Sequence, residues 1–147
     1  MIEINLQRVE GDFGFEATDA NGHTVKMDTS DESGGINFGF RPMQMLLAGL
    51  GGCSAIDIVM ILKKQRQTIN DFAIKVTGER EPDKEPSLWA NAKITFFLKG
   101  DIDKEKAYRA CELSMNKYCS VAETLKRSGT ELTWEVVVNE KIGRASC

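Results

Sequence analysis

Residues Met45 to Leu62 form an 18-residue stretch whose single charged side chain is Asp57. A helix built from it is apolar on nearly every side. Such a helix either crosses a bilayer or is buried on nearly every side in a protein core. Three glycines (Gly49, Gly51, Gly52) and Asp57 interrupt the stretch, and the flanking segments alternate between polar and apolar residues as soluble strands do. These features predict a core helix and no membrane span. One sheet covers only one side of such a helix. A second copy of the chain is the simplest cover for the other, which predicts a homodimer.

Alternation places the remaining elements. Ile2, Ile4 and Leu6 predict a half-buried strand over 2–9. Phe13, Phe15 and Ala17 predict a second strand, and Val25 and Met27 a third, with turns at Gly11-Asp12 and 19–22. Residues 29–40 read as a glycine-rich loop long enough to be functional. Pro42 suits the first position of a helix running to about Gln67, whose Lys63, Lys64 and Arg66 suit its negative end. Strands follow around Phe72–Val76 and Ala90–Leu98, separated by a charged, proline-bearing turn over 79–86. Asp101 or Asp103 caps a second helical region ending near Ser128-Gly129. Its apolar stripe is expected to run from Ala107 through Ala110, Cys111, Ser114 and Tyr118 to Leu125. Leu132–Val138 reads as the last strand. The order β-β-β-α-β-β-α-β predicts an α+β fold with a mainly antiparallel sheet, as one domain over 1–147.

Composition narrows the chemistry. Net charge is −3 and the isoelectric point about 5.3, against the basic surface that nucleic-acid binding requires. The single histidine, His23, excludes a multi-histidine metal site. No metal or other cofactor is expected. The N-terminal residues carry no signal-peptide pattern, and a cytoplasmic setting, where free thiols persist, is expected.

The four cysteines are Cys53, Cys111, Cys119 and Cys147, and no two have C-x-x-C spacing. Cys111 and Cys119 stand roughly 12 Å apart along a straight helix. That exceeds the Cα separation of about 7 Å that a disulfide allows, so the pair closes only across a helix break. Cys111 reads as a core residue and Cys147, at the last position, as incidental. Cys53 follows Gly51-Gly52, and Ser54 with Asp57 has the spacing of a capping box, so a helical segment is expected to restart there. Ser120 and Glu123 give Cys119 the same context. A thiol at a helix N-terminus is biased toward the thiolate. Cys53 and Cys119 are thus either a redox pair or two small core residues. Met43, Met45 and Met60 read as core filling, His23 as a surface residue, Lys63–Arg66 as a solvated helix end, and Trp89 and Trp134 as sheet packing.

The segment Arg41-Pro-Met-Gln-Met-Leu-Leu-Ala-Gly-Leu-Gly-Gly-Cys53-Ser-Ala-Ile-Asp-Ile-Val resembles the central helix of the OsmC/Ohr family, the osmotically inducible and organic-hydroperoxide-resistance proteins. Lys117-Tyr-Cys119-Ser-Val-Ala-Glu-Thr-Leu resembles that family's second-cysteine segment. Within the family the chain is most similar to the YhfA-like branch. The resemblance implies an intertwined homodimer, thiol-dependent reduction of organic hydroperoxides, Cys53 as the attacking thiol and Cys119 as the resolving one. It also implies an external dithiol reductant, often a lipoylated protein in better-known members. Those members carry a glutamate shortly after the proline, where this chain has Met43 and Gln44. Gln44 offers a hydrogen bond without a charge, and Arg41 is the nearest cation in sequence, so both are candidate site residues. Residue 120 is serine where many members have proline. The competing expectation is a non-catalytic dimer that binds a small apolar ligand at its interface.

Overall fold

The computed structural model describes residues 1–140. Cys147 lies outside them. The chain divides into two compact units, one over Met1–Leu46 and one from Leu47 onward.

The first unit is an antiparallel meander of β1 (Asn5–Glu10), β2 (Gly14–Thr18) and β3 (Thr24–Met27). The Asp19 carboxylate shapes the β2–β3 turn, accepting the backbone N–H groups of Asn21 and His23 at 2.9 Å each. His23 is exposed and pairs with the same carboxylate at 2.8 Å. Alternation along β1 predicted one buried face, yet all six of its residues are exposed. The unit lays nothing over β1, so Leu6 and Val9 face outward, as do Phe13, Phe15 and Val25 nearby.

The loop over 29–40 is not slack. Asp28 is buried, and its carboxylate accepts N–H groups from Thr29 (2.7 Å), Ile36 (2.9 Å) and Phe38 (3.1 Å). Phe40 bonds to β3 in both directions, from its N–H to the Lys26 carbonyl and from its carbonyl to the Asp28 N–H. Gly39 permits this contact, because a Cβ there would lie 2.2 Å from the Lys26 oxygen.

Helix α1 (Pro42–Lys64) is continuous. Gln44 caps its start, its side-chain oxygen accepting the Arg41 N–H at 3.1 Å. By length and composition α1 is able to cross a membrane, with a mean hydropathy of 2.1 over its best window. In the second unit, however, Leu50, Gly51, Ser54, Ile58 and Leu62 form one buried stripe at helical spacing, in a common core with the sheet. In this unit no described residue covers the opposite face. Ile56 is 63% exposed and Met60 53%, so Met60 is not core filling as the sequence suggested.

The sheet of the second unit has the order β4 (Thr68–Arg80), β5 (Trp89–Asp101), β6 (Glu131–Val138). β4 and β5 are antiparallel, whereas β5 and β6 are parallel from Asn91↔Glu131 to Leu98↔Val138. Two three-stranded sheets therefore stand where the sequence suggested one. Parallel neighbours need a long crossover, here made of α2 (Lys104–Leu113), a π-helical turn (Ser114–Tyr118) and α3 (Ser120–Arg127). As the central strand, β5 buries a nearly continuous run, Ile94 to Leu98.

Asp103 caps α2, accepting the Lys106 N–H at 3.3 Å. The expected stripe holds through Ala107, Ala110, Cys111 and Ser114. The wider π turn then rotates the register, so Met115 and Cys119 point inward and Tyr118 outward, 50% exposed.

Replacing Asp28 with alanine removes three charge-assisted acceptor bonds, and amide exchange at Ile36 and Phe38 is expected to accelerate by roughly tenfold or more. Those bonds hold the Asp28 carboxyl below the usual carboxylate range, with the Ile36 N–H contributing most. The anchor is therefore complete above the ordinary carboxylate pKa and is lost as pH falls through the lowered folded value. Unchanged exchange at those two amides would exclude this role for Asp28.

Candidate functional site

The register of α1 is fixed by its buried stripe. It turns Ser54 fully into the core and leaves Cys53 half-buried beside it. The helix runs unbroken through Gly51-Gly52-Cys53, so the expected restart at Cys53 does not occur. Ser54 does not cap a helix start either. Its hydroxyl donates to the Leu50 carbonyl one turn back, and Asp57 accepts a hydrogen bond from Ser114 Oγ at 2.9 Å. The mid-helix position removes the helix-dipole argument for Cys53.

Cys119 sits at a true helix start. The backbone leaves the helical region there (φ −74°, ψ 107°), and the sulfur itself caps α3, accepting the Ala122 N–H at 3.3 Å. The cap lies one residue before Ser120, where the capping-box spacing had suggested it. Glu123 pairs with Arg127 at 2.8 Å rather than reaching back.

The structure brings the two thiols together. Cys119 is 3% exposed; its sulfur lies 3.9 Å from Ser54 Oγ, next in sequence to Cys53. Burial pushes the Cys119 thiol up from its ordinary pKa, and the neighbouring Cys53 sulfur pushes it further. The Ala122 N–H and the Ser54 hydroxyl oppose the rise. Cys53, Cys111 and Cys119 are all free thiols. Cys111 is fully buried, as expected of a core residue, and desolvation raises its pKa to about 12.

Arg41 and Gln44 belong to the first unit and are engaged locally. Gln44 holds the Arg41 N–H, and the Arg41 charge helps depress the Asp28 carboxyl. The same unit carries an apolar cleft of about 360 Å³ lined by Leu6, Phe13, Phe15, Met27 and Pro42. Among the described residues no three of His, Cys, Asp or Glu group to hold a metal ion.

Residues 9–135 match the model of the OsmC-like protein family. The chain belongs to that family. It is 37% identical over 128 residues to protein YhfA of Escherichia coli strain K12, covering 86% of this chain and 91% of that one. A hypothetical protein from Aquifex aeolicus shares 30% of its sequence and the fold, with a TM-score of 0.76 over 95% of this chain and 98% of that one. An organic hydroperoxide resistance protein from Elizabethkingia anophelis has the same fold at 15% identity, with a TM-score of 0.71 over 95% and 96% of the two chains. The fold and family implied by the two cysteine-bearing segments are thus those of the chain.

Reasoning from sequence missed Ser114 as a polar partner of the thiol-bearing helix. Its position on the apolar stripe was the only signal, and a buried serine on such a stripe needs an acceptor.

Folding holds the Cys111 thiol protonated to about pH 12, against an ordinary value of 9.0. The stabilisation is complete below the ordinary value and fades as pH rises toward the folded one. The stability advantage of the native chain over Cys111→Ala is therefore expected to shrink between pH 9.0 and 12 in denaturant titrations. A constant difference across that window would contradict the assignment.

Proposed function

We propose that the chain is a thiol-dependent peroxidase that reduces organic hydroperoxides, acting as an intertwined homodimer in the cytoplasm. The observation that carries this reading is the placement of Cys119 against the Cys53–Ser54 step of α1, its sulfur 3.9 Å from Ser54 Oγ and within the electrostatic influence of the Cys53 sulfur. It occurs in a chain whose fold is shared with organic hydroperoxide resistance proteins. The apolar side chains left open on β1, β2 and the outer face of α1 support the dimer.

The Cys53 thiolate attacks the terminal oxygen of the hydroperoxide. The O–O bond breaks, the alkoxide leaves and takes a proton to become the alcohol, and Cys53 becomes a sulfenic acid. The Cys119 sulfur then attacks the Cys53 sulfur. An S–S bond forms, the S–O bond breaks, and hydroxide leaves as water with the Cys119 proton. An external dithiol, a lipoylated protein in the reading the family suggests, returns two electrons to the disulfide. Burial of Cys119 fits the second role. Its thiol stays protonated and unreactive until the half-buried Cys53 has been oxidised. Arg41 and Gln44 stand roughly 18 Å and 13 Å along the continuous α1 from Cys53, so in this reading they steady the Cys53 thiolate only from the partner copy of the dimer.

A second reading is a non-catalytic dimer that binds a small apolar ligand. The apolar cleft on the first unit favours it, as does the engagement of Gln44 in helix capping where other members carry a glutamate.

Under the peroxidase reading, Cys53→Ser abolishes turnover of an organic hydroperoxide such as cumene hydroperoxide. Stoichiometric peroxide gives a Cys53–Cys119 disulfide visible by non-reducing mass spectrometry. Turnover that persists in Cys53→Ser sinks the reading. The pH dependence of Cys53 alkylation separates the two alternatives. A rate that plateaus below pH 7 marks a peroxidatic thiolate, whereas a rate still rising near pH 8.5, the range of a free thiol, favours the ligand-binding dimer.

A further inference from the structure

We propose that Asp57 is a positioning residue for the resolving thiol, acting through Ser114 to hold Cys119 at a fixed reach from Cys53. The inference rests on the thiol-pair reading above and assigns a role to a carboxylate one helical turn beyond Cys53. Ser114 is fully buried, and its hydroxyl donates to Asp57 Oδ2 at 2.9 Å while lying 3.4 Å from the Ser54 carbonyl. The Ser114 carbonyl in turn accepts the Cys119 N–H at 2.8 Å, closing the π-helical turn. One residue thus ties the helix that carries Cys53 to the backbone that carries Cys119. Lys126 braces the same turn from the other side, its ammonium donating to the Met115 carbonyl at 2.6 Å.

The chemistry of the link fits a positioning device. A hydroxyl donating to a carboxylate makes a stronger and shorter bond than one to a neutral acceptor, and two adjacent contacts on Ser114 fix its orientation. A π turn is otherwise an unfavourable insertion in a helical segment, and such turns recur at functional sites. Here the extra residue turns the Cys119 sulfur inward, and the Asp57–Ser114 bond pins the turn where it starts. Because attack of one sulfur on another demands close approach and alignment, slack in the turn lowers the rate of disulfide closure. It leaves the first thiol's encounter with an oxidant untouched.

The test uses diamide, a diazene that closes a dithiol without peroxide. The Cys53 sulfur adds to the N=N bond, Cys119 then attacks the Cys53 sulfur, and the two electrons and two protons of the thiols leave in the hydrazine. In the full chain, Asp57→Ala is expected to slow closure of the Cys53–Cys119 disulfide at least tenfold, followed by quenched non-reducing mass spectrometry. The rate of Cys53 alkylation by iodoacetamide should stay within about twofold of the native chain, consistent with loss of alignment rather than of the thiol. Asp57→Asn keeps an oxygen acceptor and should recover most of the closure rate. Ser114→Ala removes the same bond from its other end and gives an independent reading if Asp57→Ala folds poorly, and the double variant should close no more slowly than the slower single one. Native closure rates in Asp57→Ala or Ser114→Ala overturn the proposal, as do additive losses in the double variant. Because diamide replaces the peroxide, a chain that closes under diamide but ignores hydroperoxides would fail the peroxidase reading and leave the positioning role standing.

Discussion

The buried stripe of α1 is the constraint from which the rest of the second unit follows. Leu50, Ile58 and Leu62 are fully inaccessible and share a core with β5, and burial of side chains of this size stabilises by about 1.5–3 kcal/mol each. That anchoring fixes the helix about its own axis. Gly51 lies against β4, where an added Cβ would make only ordinary contacts with Val76 at 3.4 Å and Ile74 at 3.6 Å. Once the rotation is set, Ser54 turns inward, Cys53 sits at the margin of the core, and Asp57 comes within reach of Ser114. No local preference of the cysteine itself is needed to put it there.

The second cysteine is placed by the opposite means. Where α1 stays helical through two glycines, the crossover segment abandons its helix at Cys119 and begins another. The π turn supplies the offset, and the sulfur accepts the N–H of Ala122 in the first turn of α3. Burial and backbone hydrogen bonding then act on the thiol in opposite directions, with burial dominant. An unbroken helix through residues 104–127 would put Tyr118 on the buried face set by Ala107 and Cys111 and turn Cys119 roughly 100° away from it.

Much of this order was legible in the chain. The alternation of Ile94, Phe96 and Leu98 marked β5, Asp101 or Asp103 marked the start of α2, of which the structure uses Asp103, and the Ser120–Glu123 spacing came within one residue of the α3 cap. The direction of β6 was not legible, because an alternation of period two carries no sense of parallel or antiparallel. The continuity of α1 was hidden as well. Glycine costs a helix about 1 kcal/mol per residue relative to alanine, which argued for a restart at Cys53, but packing of Leu50 and Ile58 outweighs that cost. The Asp57–Ser114 bond joins residues far apart in sequence, so spacing could not announce it. In β1 the alternation announced a half-buried strand, but the strand begins only at Asn5 and no described residue of its unit covers it.

A helix capped by sulfur differs from one capped by serine or aspartate in a way that outlasts the static picture. The atom that begins α3 is the same atom that the proposed reaction would bond to Cys53, so the sulfur that accepts the Ala122 N–H would acquire a second covalent partner. In the proposed reaction the order of the first turn of α3 and the electron count of the thiol pair would be coupled, because any preference of that turn for one state of the sulfur is equally a preference for one oxidation state.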